Sequence, residues 1–239
     1  MKQKPIHPSM QPYLDGQVIL INKPLHWTSF DAVKKIRILT GVSKVGHAGT
    51  LDPLATGLLI ICTGKFTKTI NEYMKQPKEY TGSFTIGATT PTYDLESTPE
   101  NFADIFQITG QQMQEALMSF TGNILQTPPI HSAIKKEGRP VYLAARKGEE
   151  VVLEPRPVTI YGFEITSMEL PKIFFKVNCS TGTYIRSLAN DYGKTLGVGA
   201  YLSSLVRTRI GTFDLSQAKT IEMFESEIKM MKEDYERNK

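Results

Sequence analysis

Cysteine is scarce in this chain: two of its 239 residues, Cys62 and Cys179. They lie far apart in apolar, strand-like segments. They form neither a CxxC pair nor a disulfide framework, which points to a reduced, cytoplasmic protein. Histidine is nearly as rare, with His7, His26, His47 and His131 showing no metal-ligand spacing. No metal site is expected. Long apolar runs are missing too. The longest, "LLIIC" at residues 58–62, is far too short to span a bilayer, and the opening "MKQKPIHPSMQPYLDG" has no apolar signal-peptide core. No membrane association is expected. There is no internal repeat, no low-complexity segment, no G-x-G-x-x-G and no G-x-S-x-G. "CTGKFTK" resembles part of a phosphate loop, but Leu59 stands where glycine is needed and Phe66 where Ser or Thr is needed. Nucleotide, zinc, dinucleotide and serine-hydrolase readings fall away, and no cofactor is expected. The chemistry is left to carboxylate, Tyr, Arg, Lys and His side chains.

What is present is ordinary in bulk and uneven in detail. The length suits one large domain or two small ones, and 40% hydrophobic with 22% charged residues is typical of a globular protein. The net charge of +4 is modest. Between residues 34 and 80, however, there are eight Lys/Arg against three acids, whereas residues 81–110 carry four acids and no Lys or Arg. Such a basic zone suits a polyanion such as nucleic acid, or is simply a set of solvated helix faces.

Along the chain, "QVILINKP" reads as a short buried strand stopped by Pro24. "TSFDAVKKIRIL" reads as a helix capped by Thr28 or Ser29, with Phe30, Val33 and Ile36 on one face. "GLLIICTG" reads as a fully buried strand, "KFTKTINEYMK" as helical, and "EYTGSFTIGATT" as a half-buried strand with Tyr80, Phe84 and Ile86 inward. Met113, Ala116, Leu117 and Phe120 make a helical stripe. Ile173, Phe175, Val177 and Cys179 alternate along a strand, and a helix starts near Tyr184. "IEMFESEIKMMKEDYERNK" reads as a charged helix fraying into a tail. Strands and helices intermix without regular βαβ alternation, which gives an α+β or mixed α/β fold.

The segment "VGHAGTLDPLATGLL", residues 45–59, holds one carboxylate, Asp52, locked in front of Pro53. Proline excludes the helical region for the residue before it, and the surrounding glycines let another backbone come close. Two readings stay open on these residues alone. One is a carboxylate placed for catalysis on a loop tied to a rigid strand. The other is an Asx-Pro turn whose carboxylate caps local N–H groups.

This segment closely resembles the "G-H-x-G-x-L-D-P-x-A-x-G-x-L" signature of the bacterial TruB family of tRNA pseudouridine synthases. Four further stretches resemble the family in order: "INKPLHWTS", "KEYTGSFTIGATTPTYDLES", "PPIHSAIKKEGRPVYLAARKG" and "CSTGTYIRSLANDYGKTLGVGAYLSSLVRTRIG". In the first of these, Leu25-His26-Trp27 replaces a glycine-centred middle. The resemblance runs from about Val18 to Gly211, nearly the whole chain. It implies the pseudouridine synthase fold, a largely antiparallel central sheet flanked by helices with the active-site cleft across it.

As catalytic residues it implies Asp52 as the nucleophile, Arg186 as a guanidinium paired with it, and Tyr80 stacking on the target base. His47, Tyr184, Leu205 and Lys23 match substrate-binding positions. Lys34, Lys35, Lys44, Lys65, Lys68, Lys78, Lys135, Lys136, Arg139 and Arg146 form an expected grip on RNA backbone. The implied reaction is conversion of a T-loop uridine of tRNA, position 55, to pseudouridine by base flipping. The alternative weighed against it is a non-catalytic tRNA-binding or tRNA-folding protein, which would not need Asp52, Tyr80 and Arg186 together. Expected organisation is a polar segment over 1–15, a catalytic domain over 16–215 and a C-terminal helix over 216–239. Longer relatives continue there into a PUA domain. The expected partner is tRNA, with no protein partner, and the chain is expected to act as a monomer.

Overall fold

The computed structural model describes residues 6–130, 132, 135–136, 139–140 and 153–239. Their elements run in chain order as follows. Helix α1 (Gln11–Asp15) precedes strand β1 (Val18–Lys23), which ends where Pro24 cannot continue a ladder. Helix α2 (Ser29–Thr40) starts at Thr28, whose hydroxyl accepts from Asp31 N–H while the Asp31 carboxylate reaches back, a reciprocal capping box. Then come β2 (Val45–Ala48), β3 (Ala55–Thr63), a 3-10 stretch, α3 (Ile70–Met74) and β4 (Lys78–Ile86). Helix α4 (Gly110–Met118), boxed by Thr109 and Gln112, leads to β5 (Gly122–Gln126) and the two-residue strands β6 (Lys135–Lys136) and β7 (Arg139–Pro140). The remainder is β8 (Arg156–Glu169), β9 (Lys172–Cys179), α5 (Ile185–Leu196), β10 (Ala200–Ile210), β11 (Phe213–Asp214) and α6 (Ile221–Arg237).

The chain divides into two compact units, Met1–Lys78 with Val206–Lys239, and Glu79–Leu205. In the first, β3 pairs antiparallel with β1 and with β2, and β11 pairs with β10. Alternate residues of β3 serve two cores. Leu59 and Ile61 pack with Ile19, Ile21, Val33 and Ile36, whereas Leu58, Ile60 and Cys62 pack with Ala48 and Ile210. Burial on both faces is why "LLIIC" is apolar without interruption. Strand β1 is less enclosed than its sequence suggests: Ile19 and Ile21 are buried, while Val18 and Leu20 are half-buried.

Helix α2 buries Val33 and Ile36 as its periodicity suggests, but not Phe30. Ser29, Ala32, Val33, Ile36 and Thr40 are buried, but Phe30 is 61% exposed, with the Arg37 guanidinium 5.8 Å from its ring centre. Phe30 lies one position away from the i, i+3, i+7 stripe that begins at Ser29, so it cannot share that face. The last segment does not fray. α6 stays helical to Arg237, and Ile221, Phe224 and Ile228 join the first core. Lys232 donates to Leu39 carbonyl at 2.8 Å and Lys35 pairs with Glu225 at 2.8 Å, tying α6 to α2.

In the second unit, β9 pairs antiparallel with β8, and β8 with β5. Ile173, Phe175, Val177 and Cys179 all point into the core, as their alternation predicts. Phe84 stacks on Phe175 with ring centres 4.2 Å apart and meets Phe163 and Tyr192 at 6.0 and 5.7 Å. Tyr192 of α5 donates to Met113 carbonyl at 3.0 Å, so α5 and α4 cover this aromatic centre together. Met113, Ala116 and Leu117 form the buried stripe of α4. Phe120 lies past the helix end, its ring 6.3 Å from that of Tyr192.

Candidate active site

Asp52 sits half-buried in the turn between β2 and β3. Main-chain hydrogen bonds fix this turn residue by residue. Leu51 N–H donates to Ser29 Oγ at 2.8 Å, Ala55 N–H donates to Asp52 carbonyl at 3.0 Å, and His26 N–H donates to Pro53 carbonyl at 2.8 Å. Two of those partners, His26 and Ser29, flank the start of α2, so the helix N-terminus and the turn are built as one piece. Gly57 lies just beyond, with φ +102°, where a Cβ would stand 2.4 Å from Arg207 carbonyl oxygen. No side chain fits there, so the glycine permits the strand carrying Arg207 to pass against β3.

Lys23, at the end of β1, is fully buried. Its ammonium donates to Pro24 carbonyl at 3.0 Å and Trp27 carbonyl at 2.6 Å, closing the turn into α2. Burial pushes its pKa down to about 8. Arg207 adds to that, while the negative charges of Asp52 and Asp31 pull the other way. His47, on β2, has its pKa lowered first by burial and then by the Arg207 guanidinium, which favours the neutral imidazole. Lys23, His47 and Asp52 thus share one unit and one electrostatic neighbourhood.

The second unit holds the other expected residues. Arg186, in the first turn of α5, is 4% exposed and its Nε lies 3.6 Å from an Asp94 carboxylate oxygen, while Nη1 donates to Thr92 carbonyl at 3.3 Å. Asp94 is also buried. It accepts from the Thr92 hydroxyl at 2.6 Å and from Glu96 N–H at 3.0 Å. Tyr184 is the N-cap of α5, and no side-chain cap reaches the helix there. Instead Gln126 engages it from β5. Gln126 Oε1 accepts from Tyr184 N–H at 2.8 Å, and Nε2 donates to Tyr184 carbonyl at 3.0 Å. Ser187 Oγ donates to Thr127 carbonyl at 2.7 Å beside them. Tyr80 on β4 and Leu205 on β10 are each 8% exposed.

The residues expected to grip RNA separate by exposure. Lys34, Lys44, Lys65 and Lys68 are exposed. Lys35 is half-buried and spends its charge on Glu225. Lys78 is buried, and its ammonium donates to Met74 and Gln76 carbonyls, which removes it from any phosphate-facing set. Lys135, Lys136 and Arg139 lie in the paired strands β6 and β7, and Arg146 lies outside the described residues. Asp94, Gln126 and Arg207 were not singled out from the sequence. Asp94 closes the "TPTYD" stretch and Gln126 precedes a Thr-Pro-Pro run, but nothing in the residues themselves marks either as buried. Arg207 and Arg209, two apart on one strand, share a face, yet Arg207 is buried and Arg209 exposed, a difference the residues themselves do not mark.

Comparison with known proteins agrees along most of the chain. A sequence profile described as the TruB family pseudouridylate synthase N-terminal domain matches residues 37–185, and one for the tRNA pseudouridylate synthase B C-terminal domain matches residues 186–239. The chain is 53% identical over 223 residues to tRNA pseudouridine synthase B of Flavobacterium johnsoniae, covering 90% of this chain and 97% of that protein. It is 47% identical over 216 residues to the protein of that name from Parabacteroides distasonis, covering 88% and 92%. Among solved structures, a Cbf5-Nop10-Gar1 complex contains a chain that superposes with a TM-score of 0.75 at 28% identity, over 95% of this chain. An H/ACA RNP bound to a substrate RNA containing 2'-deoxyuridine contains one with a TM-score of 0.70 at 26% identity, over 96% of this chain. This chain spans 58% and 60% of those two longer chains. The mixed α/β fold is that of the pseudouridine synthases. Within that class, the chain belongs to the TruB family of pseudouridylate synthases.

Proposed function

We propose that this protein converts the T-loop uridine of tRNA, position 55, to pseudouridine, with Asp52 as the nucleophile. The single observation that carries the proposal is the Asp52 turn. A half-buried carboxylate on a main chain bonded at Leu51, Asp52 and Pro53 is held for chemistry with little freedom to reorganise. The reaction breaks the C1′–N1 bond of uridine, turns the base, joins C1′ to C5, loses the C5 proton and places a proton on N1. No atom is gained or lost overall. Arg186 and Tyr80 are the other catalytic residues in this reading. His47, kept neutral, Tyr184 and Leu205 bind the flipped nucleotide. Lys23 holds the turn into α2, given its two carbonyl partners. The exposed Lys34, Lys44, Lys65 and Lys68 carry the backbone contacts. The tRNA names of the relatives support the substrate, and in this reading the protein acts in the cytoplasm as a monomer.

The test is incubation with an unmodified T-stem-loop RNA, read by pseudouridine-specific carbodiimide chemistry, because intact mass is blind to an isomerisation. Wild type should convert the RNA fully. Asp52→Asn should lose conversion while keeping RNA affinity. Turnover near wild type in that variant removes Asp52 as nucleophile.

A further inference from the structure

We infer that Arg207 is the positioning residue of the Asp52 turn, a role that rests on the isomerase reading above. Its side chain is 1% exposed, one of the largest fully buried groups in the protein. A buried guanidinium is costly unless its hydrogens are all directed at acceptors. Here Nε donates to Leu58 carbonyl at 2.8 Å, Nη2 to Gly49 carbonyl at 3.1 Å and Nη1 to Thr50 carbonyl at 3.4 Å.

These three carbonyls lie on opposite sides of Asp52. Gly49 and Thr50 lead into the turn from β2, and Leu58 lies in β3 after it. One planar group therefore fixes the separation of the two chain segments from which Asp52 projects. The strand carrying Arg207 is held just as closely, since its main chain fills the space where Gly57 lacks a side chain. Further turn bonds, with Ser29 and His26, act on Leu51 and Pro53 from the α2 side. Arg207 acts from the other side on the turn's ends.

Geometry and charge both matter. A lysine at this position would keep the charge, but one ammonium cannot direct three donors along a rigid fork at carbonyls on two segments. The positive field is also felt by Lys23 and His47, both of which it pushes toward the neutral form.

The experiment separates positioning from folding and from the activity itself. Wild type, Arg207→Lys and Arg207→Gln are compared for melting temperature, T-stem-loop RNA affinity, single-turnover conversion and His47 titration by NMR. Arg207→Lys should bind RNA within about threefold of wild type and keep the His47 titration, yet convert at a rate lowered by about 100-fold. Arg207→Gln should add a rise in the His47 pKa. In wild type, the assigned Arg207 Nε proton should exchange slowly with solvent. This measurement holds even if both variants fail to fold.

Single-turnover rates in Arg207→Lys within about threefold of wild type overturn the inference. So does a fall in rate matched by an equal fall in RNA affinity, or a fast-exchanging Arg207 Nε proton. Wild type that makes no pseudouridine sinks the isomerase reading instead, and the inference with it.

Discussion

Arg186 Nε and an Asp94 carboxylate oxygen lie 3.6 Å apart, with both side chains almost wholly enclosed. Asp94 is itself oriented by the Thr92 hydroxyl and Glu96 N–H, and its backbone bridges to Leu202. The carboxylate is thus fixed before the guanidinium meets it. Removing the carboxylate beside an enclosed guanidinium takes away its compensating charge, at a cost of about 3 kcal/mol. Asp94→Ala should therefore lower the melting temperature by several degrees. Asp94→Asn keeps the shape and the bond to Thr92 but removes the charge. It should melt closer to wild type while still losing conversion through a misdirected Arg186. Calorimetry and single-turnover conversion on the same preparations check both. Equal activity in Asp94→Asn and wild type would show that the pair is structural only.

Lys23 gives a pH signature. Its pKa in the fold is about 8, below the ordinary lysine value, because burial disfavours the charged form. Between about pH 8 and about 10.4 the unfolded chain keeps this proton and the folded chain has lost it, so stability contributed by this group rises with pH. Cys62, raised to about 11 by burial, has the opposite effect above its ordinary value, as the folded state holds its proton longer. The Lys23 contribution is therefore isolated as the difference between wild type and Lys23→Met. That difference should move in favour of wild type as pH rises from 8 to 10. A constant difference across this range would place the Lys23 titration elsewhere.

His26 occupies a left-handed conformation, φ +65°, where the family pattern has glycine, while its N–H bonds Pro53 carbonyl next to Asp52. For an L-residue this region costs about 1 to 2 kcal/mol. Glycine is free of that cost but loses more freedom on folding, by up to about 1 kcal/mol. His26→Gly should consequently melt at or slightly above the wild-type temperature. His26→Val, β-branched and badly suited to positive φ, should melt clearly below it. Thermal melts of the three proteins give the order. A His26→Gly protein several degrees less stable than wild type would mean that the imidazole itself contributes contacts worth more than the strain.

Much of this was readable in the residues. The β3 run, the β9 alternation and the Thr28 cap follow from local patterning, and the Asp52 turn from a proline and glycines at fixed spacing. What was hidden depends on partners distant in the chain. Phe30 reads as core until Arg37 and the Ser29 stripe are seen together. Lys78 looks like any surface lysine until its ammonium is found on two carbonyls. Arg207 and Gln126 are polar residues in strands, and their burial follows only from carbonyl and amide groups brought to them by tertiary structure.

Gln126 offers the sharpest test of such a long-range contact. Its amide forms a two-bond pairing with the main chain of Tyr184, immediately before the helix that carries Arg186. Gln126→Ala removes both bonds to the Tyr184 main chain, whose carbonyl keeps Leu188 N–H as a donor, for a cost of about 1 kcal/mol. Gln126→Glu is more informative. A protonated carboxyl can restore both bonds, accepting from Tyr184 N–H and donating to its carbonyl, whereas the carboxylate sets oxygen against oxygen. The folded-state pKa of the new acid should lie above its unfolded value. Its stabilising effect is then present at low pH and lost as pH rises through the folded pKa. Relative to Gln126→Ala, the Glu variant should gain melting temperature as pH falls from 7 to 5, and conversion should recover in step. A Glu variant that tracks Gln126→Ala at both pH values would mean that the amide pairing does not present Tyr184 and Arg186.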